Sequence, residues 1–236
     1  MIDIAAYGAH PDDLELAIGG TIAAHVDKGF RVVGIDLTRG EKGSNGTPQL
    51  RAKEAAEAAE VLGLWQRHNL GLPDLGVKLD DDQLAVVVES IRQLRPKLIL
   101  SPYWFSHHPD HENAGSLLRK AFFVSGLKNF VTKSPPYRAE RIFYFALPQH
   151  VNPTLIVDIS DYFQKKLEAI EKYESQFSRE GKAFPTNINA PGFWKRIESG
   201  NLYWGRQAGA IYGEPFYSPR APLVPDLFWG EKENNQ

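Results

Sequence analysis

The stretch IDIAAYGAHPDDLE, residues 2–15, decides how the whole chain is read. Its first half is a short apolar run of the kind that lies buried in a sheet, and it ends at Gly8. Directly after it stand His10, Pro11, Asp12 and Asp13. Such a cluster is either a polar turn in which an aspartate caps the next helix, or one half of a metal site. IGGTIAAHVDKG then reads as a helix closed by Gly29, and FRVVGIDLT as a second strand.

The alternation continues along the chain. PQLRAKEAAEAAEVLG has the Ala, Glu and Leu content of a strong helix, ended by Gly63. QRHNLGL is a third strand, DQLAVVVESIRQLR a helix stopped by Pro96, and KLILSP a fourth strand. ENAGSLLRKAFFVSG is helical, while RIFYFAL and PTLIVDIS are further strands. DYFQKKLEAIEKYESQF is expected to be one long helix with Ser160 or Asp161 as its N-cap. This βαβα order predicts an α/β fold, a Rossmann-like, mostly parallel sheet with helices on both faces. Residues 1–236 are read as a single domain, with about 181–236 as an aromatic, Pro/Gly-rich extension that wraps the sheet or lines a site. Most of its aromatics, among Trp194, Tyr203, Trp204, Tyr212 and Phe216, are assigned to the core.

The composition, 42% hydrophobic and 24% charged with a net charge of -2, is that of a soluble globular protein. It gives no reason to expect nucleic acid or an anionic membrane as a partner. The chain has no cysteine, so disulfides and thiolate metal sites are excluded and any metal falls to His, Asp or Glu. The first residues lack the basic start of a signal peptide, and no window approaches the roughly 20 apolar residues of a membrane span. A cytoplasmic protein is the expectation.

A second polar cluster, SHHPDHEN, follows the fourth strand and carries His107, His108, Asp110 and His111. In a sheet of order 3-2-1-4-5, strands 1 and 4 are neighbours, and the crevice at their carboxyl ends is where ligands bind. Two clusters remote in sequence would therefore meet at one place. Two imidazoles and a carboxylate around zinc leave a fourth position open. The metal brings the pKa of water toward about 7 and polarises a carbonyl. A spare carboxylate can take the water's proton, and a spare imidazole can stabilise an oxyanion or protonate a leaving nitrogen. Amide or ester hydrolysis is the natural reading. Each cluster alone would be a solvated turn; together they are a site. His25, His68 and His150 stand alone as surface or packing residues, and His107 flanks the site.

AHPDD after strand one and HPDH after strand four resemble the LmbE/PIG-L family of zinc-dependent N-acetylglucosaminyl deacetylases. LTRGEKGSNGTPQLRAKEAAEAAEVLG, NLGLPD, DISDYFQKKLEAIEKYESQF and YGEPF are similar to the branch that deacetylates N-acetylglucosaminyl-malate in bacillithiol biosynthesis. The resemblance implies an LmbE-like fold and a small-molecule N-acetyl amino-sugar substrate. It makes His10, Asp13 and His111 the metal ligands and Asp12 the general base. His108 becomes the imidazole that stabilises the tetrahedral intermediate, oriented by Asp110. Arg51 matches a substrate-contacting arginine, where the residues alone suggest a surface pair with Glu54. Glu41, in the Gly-rich loop Thr38 to Thr47, would bond a sugar hydroxyl or face water. Zn2+ is implied, with Fe2+, Co2+ or Mn2+ suited to the same donors. A homo-oligomer such as a hexamer is also implied. Related enzymes carry an oxyanion-donating tyrosine where this chain has Phe193, which has no hydroxyl.

Four other readings compete with hydrolysis of this amide. Another N-acetyl amino sugar could be the substrate. A metal phosphoesterase would want ligands for two metals, which the clusters supply poorly. A nucleotide-binding module would want G-x-G-x-x-G in the first turn, and GAHPDDLELAIGG lacks it. A closed structural zinc site would recruit Asp12 or His108 as a fourth ligand.

Overall fold

A computed structural model describes residues 2–177, 184–186 and 188–223. Five strands form the central sheet: β1 (Ile4–Gly8), β2 (Val32–Thr38), β3 (Gln66–Leu72), β4 (Leu98–Pro102) and β5 (Arg141–Phe145). Their order is β3-β2-β1-β4-β5, and every pairing is parallel, with Ile4 set against Val32 on one side and Leu98 on the other. The central strands β1 and β2 are buried along their whole length, which is why both read as continuous apolar runs. β3 is an edge strand and keeps most of its residues in solvent.

Helices cover both faces. α1 (Asp13–Asp27) and α2 (Pro48–Leu62) pack Leu14, Ile18, Ile22, Ala58 and Leu62 against one face, joined there by α5 (Phe163–Glu171) through Ile170. α3 (Asp81–Leu94) and α4 (Pro109–Val124) cover the other with Val87, Ile91, Leu117 and Leu118, against Tyr7, Val33 and Ile35. Gly115 lets α4 lie on the turn after β4, since a Cβ there would fall 2.7 Å from Pro102 O.

Three expectations about local structure change. α1 begins at Asp13, five residues before the expected start, and breaks at Ile18, whose φ of -138° is not helical. The amides freed at that break, Gly20 and Thr21 N–H, donate to Glu214 at 3.1 and 2.7 Å. α4 begins at Pro109, so the second polar cluster sits in its first turn. The helix expected from residue 161 is divided into a single 3-10 turn at Ser160–Tyr162, α5, and a short α6 (Glu174–Phe177). Neither Ser160 nor Asp161 is its N-cap: α5 starts after Tyr162, and Ser160 Oγ instead donates to Asp158 and accepts from Ile211 and Tyr212 N–H. Tyr173, fully buried, lies between α5 and α6.

Beyond the sheet, β6 (Leu155–Asp158) and β7 (Gly213–Phe216) make a two-stranded antiparallel ribbon, and Tyr217 bridges to Tyr144 of β5. α7 (Phe193–Gln207) packs on this ribbon. Of the C-terminal aromatics expected in the core, Phe216 is buried, Trp194, Trp204 and Tyr212 are half-buried, and Tyr203 is 56% exposed. Tyr203 is outside because α7 turns only one face to the ribbon. Residues 224–236 of the expected extension, with 178–183 and 187, lie outside the described residues. Among the described residues no helix is long and apolar enough to cross a membrane.

Candidate metal centre

Adjacent β1 and β4 end side by side, and the turns that follow them carry the two polar clusters. His10, buried, leads into a turn held by its own N–H donating to Asp13 Oδ2 at 2.9 Å. Asp12 has a left-handed backbone, φ 113°, a strained state for a residue other than glycine. Asp12 occupies the N-cap position of α1, yet its side chain makes no capping bond. The plain capping alternative therefore fails for Asp12. His108 does cap α4, accepting the Asp110 N–H on Nδ1 at 3.2 Å.

His10 Nδ1 lies 3.2 Å from His111 Nε2. Asp13 completes the group, Oδ1 at 3.1 Å from His111 Nε2 and Oδ2 at 3.7 Å from His10 Nδ1. Donors bound to one tetrahedral ion at about 2.0–2.1 Å stand roughly 3.3 Å apart. His10 Nδ1 and His111 Nε2 are thus spaced for a single metal ion, with one Asp13 oxygen turned to each, and His108 also brings a ring nitrogen within 4.8 Å of theirs. His108 stands at the exposed side, its ring 4.7 Å from His111 and 4.8 Å from His10.

Behind this group, His10 Nε2 faces two carboxylates, Asp74 Oδ1 at 3.2 Å and Asp110 Oδ2 at 3.3 Å. A carboxylate on the far nitrogen fixes the tautomer and ring orientation of a metal-ligating histidine. Asp110, expected to orient His108, meets that ring through its backbone N–H. Its side chain holds His10 and accepts from Leu75 and Val77 N–H. Asp74 was not singled out by sequence, although it closes the NLGLPD stretch. Asp74 accepts the Lys42 N–H at 2.7 Å and gives its own N–H to Glu41 at 2.9 Å. Glu41, expected at a sugar hydroxyl or in water, is exposed and anchors this turn to the Gly-rich loop.

Arg51 is buried and points inward. Its Nη2 donates to Asp12 Oδ2 at 3.1 Å and to Pro11 O, and its Nη1 to Gly40 O at 3.2 Å. A surface pair with Glu54 is excluded, because Glu54 is itself buried and takes Ser175 N–H and Oγ–H at 2.7 Å each. Gly40 is the seat for the guanidinium: at φ +62°, any Cβ would fall 1.9 Å from Arg51 Nη1. Beneath lies a second buried ion cluster missed by sequence, in which Arg67 of β3 bridges Asp36 and Glu15 and so fixes the first turn of α1.

The electrostatics follow from this crowding. Burial pushes the Asp12 carboxyl up to about 7, against the pull of Arg51. Burial also raises Asp13, but the charge of His111 and hydrogen bonds to His10 and His111 outweigh it and hold Asp13 well below the usual range. Burial pulls His10 down, and its hydrogen bonds to Asp110, Asp13 and Asp74 overcome this and lift it to about 12. Burial and the neighbouring His111 lower His108.

Phe193 is buried and stacks on Phe177 with ring centroids 5.1 Å apart, so it belongs to the core. His107 and His150 are exposed and line a neighbouring depression with Phe105. His25 bonds to Thr21 O within α1.

The family model described as PIG-L, GlcNAc-PI de-N-acetylase, matches residues 6–122, which hold both polar clusters. The chain is 31% identical to a diacetylchitobiose deacetylase of Thermococcus kodakarensis, over 93% of this chain and 82% of that protein. It is 26% identical to a Bacillus anthracis protein named "Probable N-acetyl-alpha-D-glucosaminyl L-malate deacetylase 2", over 72% of this chain and 79% of that one. Among solved structures, a conserved protein from Thermus thermophilus superposes with a TM-score of 0.87 at 37% identity, covering 95% of this chain and 98% of the other.

Proposed function

The chain belongs to the PIG-L, GlcNAc-PI de-N-acetylase family, and from that premise we propose that it hydrolyses the acetamide of an N-acetylglucosamine conjugate to a free amine and acetate. Deacetylation of N-acetylglucosamine-type substrates is the activity that several relatives' names carry, while one other relative is named a 4-oxalmesaconate hydratase. The observation that carries the reading is the His10, Asp13 and His111 donor set, with the Asp12 carboxylate beside it and tied to Arg51.

His10, Asp13 and His111 would hold one ion, zinc in the first instance. That ion supplies Lewis acidity to the scissile carbonyl and makes water acidic near neutral pH. Asp12 takes the proton of the attacking water and later delivers it to the leaving nitrogen. Arg51 holds Asp12 Oδ2, which leaves the other carboxylate oxygen for this transfer. His108 sits at the open side, where its free ring nitrogen donates to the developing oxyanion. Asp74 and Asp110 keep His10 in one orientation. The sugar lies against the Gly-rich loop after β2, on the side of Arg51 and Glu41. The malate conjugate of bacillithiol biosynthesis and a chitobiose-type disaccharide are the two leading substrates, acted on in the cytoplasm by a homo-oligomer.

The test is acetate release by zinc-loaded protein from N-acetylglucosaminyl-malate, N,N'-diacetylchitobiose and N-acetylglucosamine, beside Asp12→Ala. Turnover of one conjugate that disappears in the variant, with metal retained, supports the reading. Activity on none of the three with one metal bound sinks it.

A further inference from the structure

A cavity of about 350 Å3 opens beside the candidate metal centre, which it meets through Asp13 and His111. Its walls are mainly apolar: Leu16 from α1, Phe145 at the end of β5, and Ile197 and Trp204 from α7. Arg196 stands exposed at its rim, and the buried polar groups of its floor are paired with one another. Lys166 Nζ donates to Glu214 Oε1 at 2.6 Å and to Asn201 Oδ1 at 3.3 Å, and Glu214 also receives the Gly20 and Thr21 N–H groups. The floor therefore has no need of a charged ligand.

The side on which this cavity lies matters. In the order β3-β2-β1-β4-β5 the centre sits over β1 and β4, with β2 flanking one side and β5 the other. Arg51, Gly40 and Glu41 belong to the β2 side, while the cavity belongs to the β5 side and has none of them in its lining. A bound amide carries two substituents, one on nitrogen and one on the carbonyl carbon. With the sugar on the β2 side, a placement that rests on the function proposed above, the carbonyl substituent points toward β5.

We propose that this cavity is an acyl pocket, and that the protein hydrolyses N-acyl amino sugars whose chains are longer than acetyl. An acetyl methyl fills about one water's share of space, roughly 30 Å3. Most of the cavity would stay empty over an acetamide. A longer chain would extend along Leu16, Phe145, Ile197 and Trp204 and exchange water for apolar contact. The step itself is unchanged: water's oxygen bonds to the acyl carbon, the C–N bond breaks, and the nitrogen leaves with a proton. The products are the free amine and the carboxylate of the chain.

The experiment compares kcat/KM of the zinc-loaded protein on N-acetyl, N-butyryl and N-hexanoyl forms of one glucosamine conjugate. Burial of each added methylene is expected to give roughly a fourfold gain. The hexanoyl form should then exceed the acetyl form by roughly 200-fold. Gly200 lies in α7 on the cavity wall, and a Cβ built there meets nothing within 4 Å. Gly200→Phe should therefore fill the space, removing most of the hexanoyl gain while acetyl turnover stays within about twofold. Gly200→Ala, which improves helix propensity, checks that the position accepts a side chain. Acetyl turnover without hexanoyl turnover overturns the pocket and leaves deacetylation standing; turnover of neither overturns both. Equal loss on both substrates in Gly200→Phe, with Gly200→Ala active, also overturns the pocket.

Discussion

Replacing Asp74 by asparagine removes one of the two carboxylates that share His10 Nε2, at 3.2 and 3.3 Å, and changes the size of the side chain little. An asparagine can still accept the Lys42 N–H, so the turn keeps its anchor; what it loses is the charge behind the imidazole. Loss of such a partner typically weakens metal binding 10–100-fold. Asp110 remains on the same nitrogen, so the expected loss is at the lower end, about tenfold, or about 1.4 kcal/mol. Asp110→Asn should cost at least as much, because that carboxylate also holds Leu75 and Val77 N–H in a buried place. The double variant should lose more than the sum of the two, since each single change leaves the other carboxylate to compensate. Zinc affinity, measured by competition with a chromophoric chelator, reads this directly, with a thermal melt to show that the fold survives. An unchanged affinity in Asp74→Asn, or strict additivity in the double variant, would refute the view that these carboxylates support His10 as a ligand.

Other outcomes follow from the same contacts. Asp12→Asn should lower turnover by about 10²–10⁴ with metal content unchanged, measured by acetate release and metal analysis; loss of metal instead would make Asp12 a ligand. Gly40→Ala should cost about 1–3 kcal/mol in denaturant unfolding, from its positive φ and the collision with Arg51, and should impair turnover through Asp12. Burial pushes the Glu89 carboxyl up, but hydrogen bonds from Ser134 outweigh it and hold it at about 2, below its ordinary 4.5. Its contribution to stability is thus full above 4.5 and fades as the pH falls toward 2, so Glu89→Gln should flatten the acid limb of a melting-temperature profile. An equal slope in the variant would contradict this.

The candidate metal cluster was legible because both polar motifs follow apolar runs that read as buried strands, and the strand order then brings them together. Asp74 was not, since it is a single acid in a turn after an edge strand, and its partner is chosen by tertiary packing alone. Arg51 is a different case. It shares the stripe of Ala55, Ala58 and Leu62, all buried, so the helical period itself argued against a surface pair. The break between α5 and α6 left no mark in the sequence, as it depends on where the buried Tyr173 finds room. The C-terminal aromatics misled because a wide ring on a helix face can as well border a cavity, as Trp204 does, as enter the core.

The Gly-rich loop and the support of His10 meet in one residue, for Asp74 binds Lys42 and Glu41 on one side and the imidazole on the other. Two equilibria joined in this way must be reciprocal. A ligand that holds the loop closed strengthens the grip on the ion by the same factor as the ion strengthens the grip on the ligand. A saturating amino sugar should accordingly slow the escape of the ion to a chelator, and the apo-protein should bind that sugar more weakly by an equal ratio. On the function proposed above, retention of the ion would be greatest with sugar bound, and the resting protein would be the form most open to exchange.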